Sequence, residues 1–201
     1  MTTGHFDQLY GRVTDAFGAE ADPLLVEHVG LLDQALPVLD VGAGQGRNAL
    51  FLARRGFAVD AIDPSPVAVE QLAKLARAAG LEIRARVAGF EAFEPIVERY
   101  GAVLLLGLLQ ILTRDQIALL RARLEDWTGS GALLVVTSFT RLDPGFGKSR
   151  VVLTHLEPGE LPALFPGWSV LLFDEGWGPE HNHGEGEPHR HHLARAVLRR
   201  G

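Results

Sequence analysis

Hydrophobic and polar positions along the chain fall into two periods that take turns, one suited to strands and one to helices. Val38 to Val41 is a short, mainly apolar run of β-favouring residues, the pattern of a buried parallel strand. From about Arg47 to Arg55 the apolar positions take helical spacing, which Gly56 is placed to end, and Phe57 to Ile62 reads as a second strand closed by Asp63. Upstream, Asp22 and Pro23 pair an N-cap with a proline at the first helical position and open a helix through Leu36, with Leu24, Leu25, Leu31 and Leu32 on one face. Downstream, Pro66 opens a helix whose Val69, Leu72, Ala76 and Ala79 keep the helical period until Gly80.

Residues 81–87 alternate apolar with charged or small side chains, which predicts a strand with one exposed face, at or near a sheet edge. Ala102 to Leu106 is apolar on both sides and reads as a central strand. Thr113 and Gln116 make a capping box for a helix ending near Trp127, and Gly131 to Ser138 is again a buried strand. A short helix from about Thr154 to Phe165, a strand from Trp168 to Phe173, a histidine-rich loop and a last strand of roughly His191 to Leu198 complete the pattern. Strands alternating with helices predict an α/β three-layer domain. Residues 1–21 mix Phe6, Tyr10 and Phe17 with glycines and acids, so they are expected as an arm or short helix outside the sheet. The domain itself is expected over residues 22–201.

Composition narrows the function classes. A chain of 201 residues with 47% hydrophobic content can bury a full core. A formal charge of −6 argues against a nucleic-acid surface, because neutralising phosphates takes clustered Lys and Arg. Without cysteine there is no disulfide, no thiolate catalysis and no Cys-ligated zinc. The first residues lack a basic, apolar signal region, and the longest apolar run, Ala102 to Leu109, is too short to span a bilayer. A soluble cytoplasmic protein without membrane contact is expected.

The chemistry concentrates between the first two strands. The glycines in Gly42-Ala43-Gly44-Gln45-Gly46 permit backbone angles and close approaches that a Cβ would block, so a ligand can lie on the loop. The following helix points its free N–H groups at that ligand. Asp63 lies 21 positions after Gly42, a spacing that suits a carboxylate accepting hydrogen bonds from both hydroxyls of a ribose. A dinucleotide fingerprint would need glycine where Arg47 stands. Asp40, two residues before the first glycine, is unhelpful beside a pyrophosphate but suits a ligand with an ammonium or sulfonium group. S-adenosylmethionine therefore ranks above NAD.

Asp40 to Asn48, with Asp63-Pro64-Ser65, resembles the first two cofactor motifs of the class I S-adenosylmethionine-dependent methyltransferases, and Gly-Gln-Gly-Arg-Asn resembles their tellurite-resistance branch. The resemblance implies a Rossmann-like doubly wound domain, a seven-stranded, mostly parallel sheet of order 3-2-1-4-5-7-6 with the last strand antiparallel. It implies cofactor contacts from Asp40, Gly42, Ala43, Gly44, Arg47, Asn48, Asp63, Pro64, Ser65, Gly89, Phe90 and Leu106, and a lead-in that closes over the cofactor with Phe6 and Tyr10 as part of a lid.

The family pattern bends in two places. Where an acid usually receives the adenine amino group, this chain has Gly89; the backbone of Gly89 and Phe90 remains, Phe90 is expected to pack on the base, and Glu91 substitutes if the loop register differs. After the fourth strand, Leu106-Gly107-Leu108-Leu109-Gln110 offers only Gln110 as a polar side chain, and such a residue more often caps the next helix. Methyl transfer tolerates this, because proximity and desolvation carry most of the catalysis.

Five of the eight histidines fall in His181-Asn182-His183 and His189-Arg190-His191-His192. Three readings stand side by side: a metal site from imidazoles two apart, joined by His183; a catalytic His181, since Gly178-Pro179-Glu180-His181 resembles the Gly-x-x-His of the tellurite-resistance enzymes; and a solvated polar loop. His181 is the nominated catalytic residue and no metal is expected. The function expected is methyl transfer to a small molecule, anionic or chalcogen-containing if Arg141, Lys148 and Arg150 hold it; the alternatives are an NAD-binding oxidoreductase and a non-catalytic S-adenosylmethionine-binding module. No nucleic-acid partner is expected, and the chain is expected as a monomer or homodimer.

Overall fold

The computed structural model describes residues 3–148, 151–178, 180 and 189–201. Its centre is one seven-stranded sheet: β1 (Val38–Val41), β2 (Val59–Asp63), β3 (Ile83–Val87), β4 (Tyr100–Leu106), β5 (Thr128–Phe139), β6 (Trp168–Trp177) and β7 (His192–Arg200). The order is β3-β2-β1-β4-β5-β7-β6, as the resemblance implied, and β7 runs antiparallel to both its neighbours while the other pairings are parallel. β3, with its mixed burial, is an edge strand as its alternation predicted.

The helices are α1 (Thr3–Arg12), α2 (Pro23–His28), α3 (Arg47–Ala53), α4 (Pro66–Ala78) and α5 (Arg114–Trp127). Local chemistry sets their ends. Asp22 accepts from the Leu24 N–H at the start of α2, Ser65 from Ala68 N–H at the start of α4, and Thr113 with Gln116 closes the reciprocal capping box of α5. Two expected helices are shorter than their patterns. α2 tightens into a 3-10 turn at Val29–Leu31 instead of running to Leu36, and Leu32 is already extended. Between Thr154 and Phe165 only Leu161–Leu164 is helical, as a 3-10 turn, because Pro158, Gly159 and Pro162 leave no uninterrupted helical stretch.

Alternation along the strands sends side chains into two cores, one on each face. One holds Leu39, Val41, Val103, Leu105, Leu134, Val136 and Trp127 beneath α5. The other holds Val38, Leu104, Val135 and Val197 beneath α2 and α3. The parallel strands end along a common edge, and the loops leaving that edge carry the candidate site.

Candidate active site at the carboxyl edge of the sheet

The glycine loop is backbone geometry. Gly42, Gly44 and Gly46 sit at φ +71°, +54° and +86°, where L-residues are strained. A Cβ on Gly46 would stand 2.1 Å from Leu72 Cδ1, so the loop also packs flush on α4. Gly42 and Ala43 both donate to the Ile62 carbonyl, at 2.8 and 3.0 Å, which ties the loop to β2. The Gly44 N–H donates to Asp63 Oδ2 and the Ser65 N–H to Oδ1, each at 2.8 Å. Asp63 is thereby fixed at the tip of β2; burial raises its pKa, against which the two N–H donors act. Each carboxylate oxygen has room for a second donor.

Asp40 is more unusual. It is 2% exposed, the Ala49 N–H donates to it, and its Oδ2 has no hydrogen-bond partner among the described residues. Burial pushes its pKa up to about 7, the Arg47 guanidinium opposing and Asp63 reinforcing the rise. A buried acceptor oxygen of this kind is complementary to a cationic ligand group.

Three of the residues the resemblance put on the cofactor have other work. Arg47 donates to the Phe17 and Glu20 carbonyls at 2.9 and 3.4 Å, and Asn48 Oδ1 accepts from the Asp22 N–H at 2.9 Å. Both side chains clamp the lead-in segment. The Ser65 hydroxyl caps α4 and donates to Asp7 of α1. Pro64 is exposed beside it, and Leu106 is half-buried at the end of β4.

The lead-in lies directly on the glycine loop. Tyr10 is 5% exposed, with its hydroxyl 3.0 Å from where a Gly44 Cβ would be; burial, then the Asp63 charge, raise its pKa. Gln45 donates to the Val13 carbonyl at 2.7 Å and accepts from the Ala16 N–H at 2.8 Å, while Gln71 donates to the Tyr10 carbonyl at 2.8 Å. Phe6 stacks on Tyr10 with ring centroids 6.0 Å apart. Gln45 and Gln71 join Tyr10 in this contact, and in the sequence only a glutamine set between two loop glycines signals it.

After β3, the Phe90 ring is 5% exposed inside the core, which removes it as a packing surface for a base and leaves only its backbone. Glu91 folds back: its Oε2 lies 2.7 Å from the position of a Gly89 Cβ, and its Oε1 accepts from Gln116 at 3.1 Å. A carboxylate thus stands over Gly89 despite the missing acid. After β4, Gln110 does not cap α5, since Thr113 does; its side chain is 8% exposed with Oε1 unpartnered among the described residues, and its carbonyl accepts from Leu153 and Thr154 at 2.7 and 3.0 Å.

Beyond β5 the loop and the start of β7 meet. Asp143, 3% exposed, receives His191 Nδ1 at 2.7 Å and the His192 N–H at 3.0 Å on Oδ2, and the Gly145 N–H at 2.7 Å on Oδ1. The His192 imidazole pairs with the Thr140 hydroxyl at 2.7 Å. His189 and His191 do approach, with ring centroids 5.0 Å apart, yet among the described residues no group of three or more His, Asp or Glu is placed to hold a metal ion. Arg141 is paired with Glu157 and lies 4.7 Å over the Phe146 ring, so its charge is already answered; Lys148 is exposed. Arg150, His181 and His183 lie outside the described residues.

A family model described as "Methyltransferase domain" matches residues 38–130. A probable S-adenosyl-L-methionine-dependent methyltransferase TehB of Haemophilus influenzae (strain 10810) is 24% identical over 148 residues, 74% of this chain and 51% of that protein. Hemagglutinin 1 of Eikenella corrodens is 28% identical over 144 residues, 71% of this chain and 47% of its own. The chain thus spans about half the length of these curated relatives. Among solved structures, one described by the conversion of a disulfide bond into a thioacetal group during echinomycin biosynthesis superposes with a TM-score of 0.81 at 23% identity, over 100% of this chain and 92% of that one. The 1,6-didemethyltoxoflavin-N1-methyltransferase of Burkholderia thailandensis superposes with a TM-score of 0.70 at 20% identity, over 99% and 87%. Motif, sheet order, loop geometry and comparisons agree: residues 38–130 match a methyltransferase domain, and the chain resembles the class I S-adenosylmethionine-dependent methyltransferases and their tellurite-resistance branch.

Proposed function

We propose that this chain transfers the methyl group of S-adenosylmethionine to a small-molecule acceptor. One observation carries the reading: the buried Asp40 carboxylate below the glycine loop, with an oxygen that has no partner among the described residues. An ammonium group answers that oxygen, whereas the pyrophosphate of NAD would set negative charge against it. The bound cofactor would supply an electrophilic methyl on a sulfonium. Around it, Asp40 would hold the ammonium, the Gly42–Gly44 backbone would line the chain, and Asp63 would take the ribose hydroxyls. The Gly89–Phe90 backbone with the Glu91 carboxylate would receive the adenine. Residues 1–21 act as the lid over residues 22–201, with Tyr10 above the loop and Arg47, Asn48, Gln45 and Gln71 holding the segment in place.

Small molecules are favoured as acceptors by the toxoflavin and echinomycin chemistry of the two structural neighbours. The acidic balance of −6 disfavours nucleic acid. No described helix is long and apolar enough to cross a membrane. Work in the cytoplasm as a monomer or homodimer completes the proposal. The test is transfer of labelled methyl from S-adenosylmethionine to a panel of phenols, thiols and chalcogen oxyanions. Label in an organic product, lost when Asp63→Ala weakens cofactor binding, is the expected result. Hydride exchange with a nicotinamide cofactor and no methyl transfer would overturn it.

A further inference from the structure

We infer that Gln116 of α5 is a positioning residue for the cofactor: it holds the Glu91 carboxylate over Gly89, so that the amino group of adenine is read by an acid two residues further along the chain. The inference rests on the methyltransferase reading above and deepens it to the base that the site selects.

Placement starts from Asp63. β2 and β3 stay in register up to Asp63 and Val87, and the next residue, Ala88, donates its N–H to the Asp63 carbonyl at 3.0 Å. Gly89 therefore follows directly beside the acid assigned to the ribose, on the neighbouring strand, within reach of a base attached to that ribose. Here the chain turns. The Ala92 N–H donates to the Gly89 carbonyl at 3.2 Å, closing a tight turn over residues 89–92. Phe90 is sunk in the core, and Phe93 meets Trp127 of α5 edge-on with centroids 5.4 Å apart, so both flanks of Glu91 are pinned. Arg123 of α5 donates to the Glu91 carbonyl at 2.7 Å and holds the tip of the turn.

Gln116 aims the Glu91 side chain. Its Nε2 donates to Glu91 Oε1 at 3.1 Å, while its Oε1 accepts the Thr113 N–H at 3.0 Å in the capping box. Both ends of the amide are engaged, which fixes its orientation. The other carboxylate oxygen, Glu91 Oε2, comes 2.7 Å from where a Gly89 Cβ would stand. An aspartate carries its own carboxylate oxygens about 2.4 Å from its Cβ. Glu91 thus sets an oxygen at nearly the distance from that point at which an aspartate in place of Gly89 would.

A carboxylate oxygen only accepts hydrogen bonds, so it suits the amino group of adenine and opposes the oxo group that hypoxanthine carries in its place. The amide at position 116 matters for the same reason. A capping box takes Glu or Gln alike at its third helical residue, but a glutamate there would set a like charge against Glu91.

The test compares S-adenosylhomocysteine with S-inosylhomocysteine, whose base has the oxo group, by calorimetry on the full chain. Wild type should bind the adenosyl compound more tightly by about tenfold. Gln116→Glu keeps the capping box and should melt at the wild-type temperature, yet lose most of that preference. A helix-capping role alone would leave the preference intact. Glu91→Ala should bind both ligands equally, and adding Gly89→Asp to it should restore the preference, because Gly89 is not at a left-handed φ and the acid returns to the start of the turn. Equal affinities in wild type, or a preference that survives either Gln116→Glu or Glu91→Ala, would overturn the inference. Binding of neither ligand would instead overturn the methyltransferase reading beneath, and the inference with it.

Discussion

Between Val38 and Asp63 the site is made mainly of backbone: three left-handed glycines, N–H groups aimed at the Asp63 carboxylate, and two buried acids placed by their positions on adjacent strands. Between Phe139 and His192 it is made of side chains brought from segments 48 positions apart, Asp143 on a loop and His191 before β7. The first region holds what every reaction of the fold shares, so its geometry is local and rigid. The second is carried by loops, whose side chains can be exchanged without disturbing the sheet.

Asp40 gives the largest expected break between the two. The folded protein keeps its proton to about pH 7, against an ordinary carboxyl at 3.8. The unfolded chain loses its proton first, so ligand-free stability should fall as pH rises through this window, by at most about 4 kcal/mol, and level off above it. Asp40→Asn should abolish that slope and unfold at a higher denaturant concentration than wild type above pH 7, while matching it near pH 4. Parallel slopes in denaturant titrations would show that the carboxyl is solvated.

Gly46→Ala comes next, because the added methyl meets Leu72 at 2.1 Å on a backbone at φ +86°. A loss of about 3 kcal/mol in thermal or denaturant unfolding is expected. Asp63→Ala should weaken S-adenosylhomocysteine binding by about 2 kcal/mol, some thirtyfold. Smallest is Glu157→Ala in the far region. Its pair with Arg141 is half-exposed on both sides, so a change below about 0.5 kcal/mol is expected.

The same contrast explains what the sequence made legible. β1, the glycine loop, β2, the caps at Asp22 and Thr113 and the edge position of β3 were readable, because each depends on neighbours within a few residues. The helix expected from Thr154 was not there, since Pro158, Gly159 and Pro162 outweigh its apolar spacing. The resemblance implies ligand contacts for Arg47 and Asn48; their side-chain hydrogen bonds go to a lead-in segment more than 25 positions away, which no local pattern announces. Asp143 carries no local signal. In sequence it is an ordinary loop acid before a proline, and only the antiparallel pairing of β5 with β7, which sets Phe139 opposite Leu193, brings His191 to it.

The most direct test is calorimetry on the ligand-free chain with S-adenosylhomocysteine and NAD side by side, at pH 5.5 and pH 8. Asp40 must be ionised to hold an ammonium group and is driven towards neutrality by burial. S-adenosylhomocysteine should therefore bind, and bind more tightly at pH 8, with the pH dependence gone in Asp40→Asn; NAD should not bind. Binding of NAD, or S-adenosylhomocysteine affinity that ignores both pH and Asp40, would contradict the account.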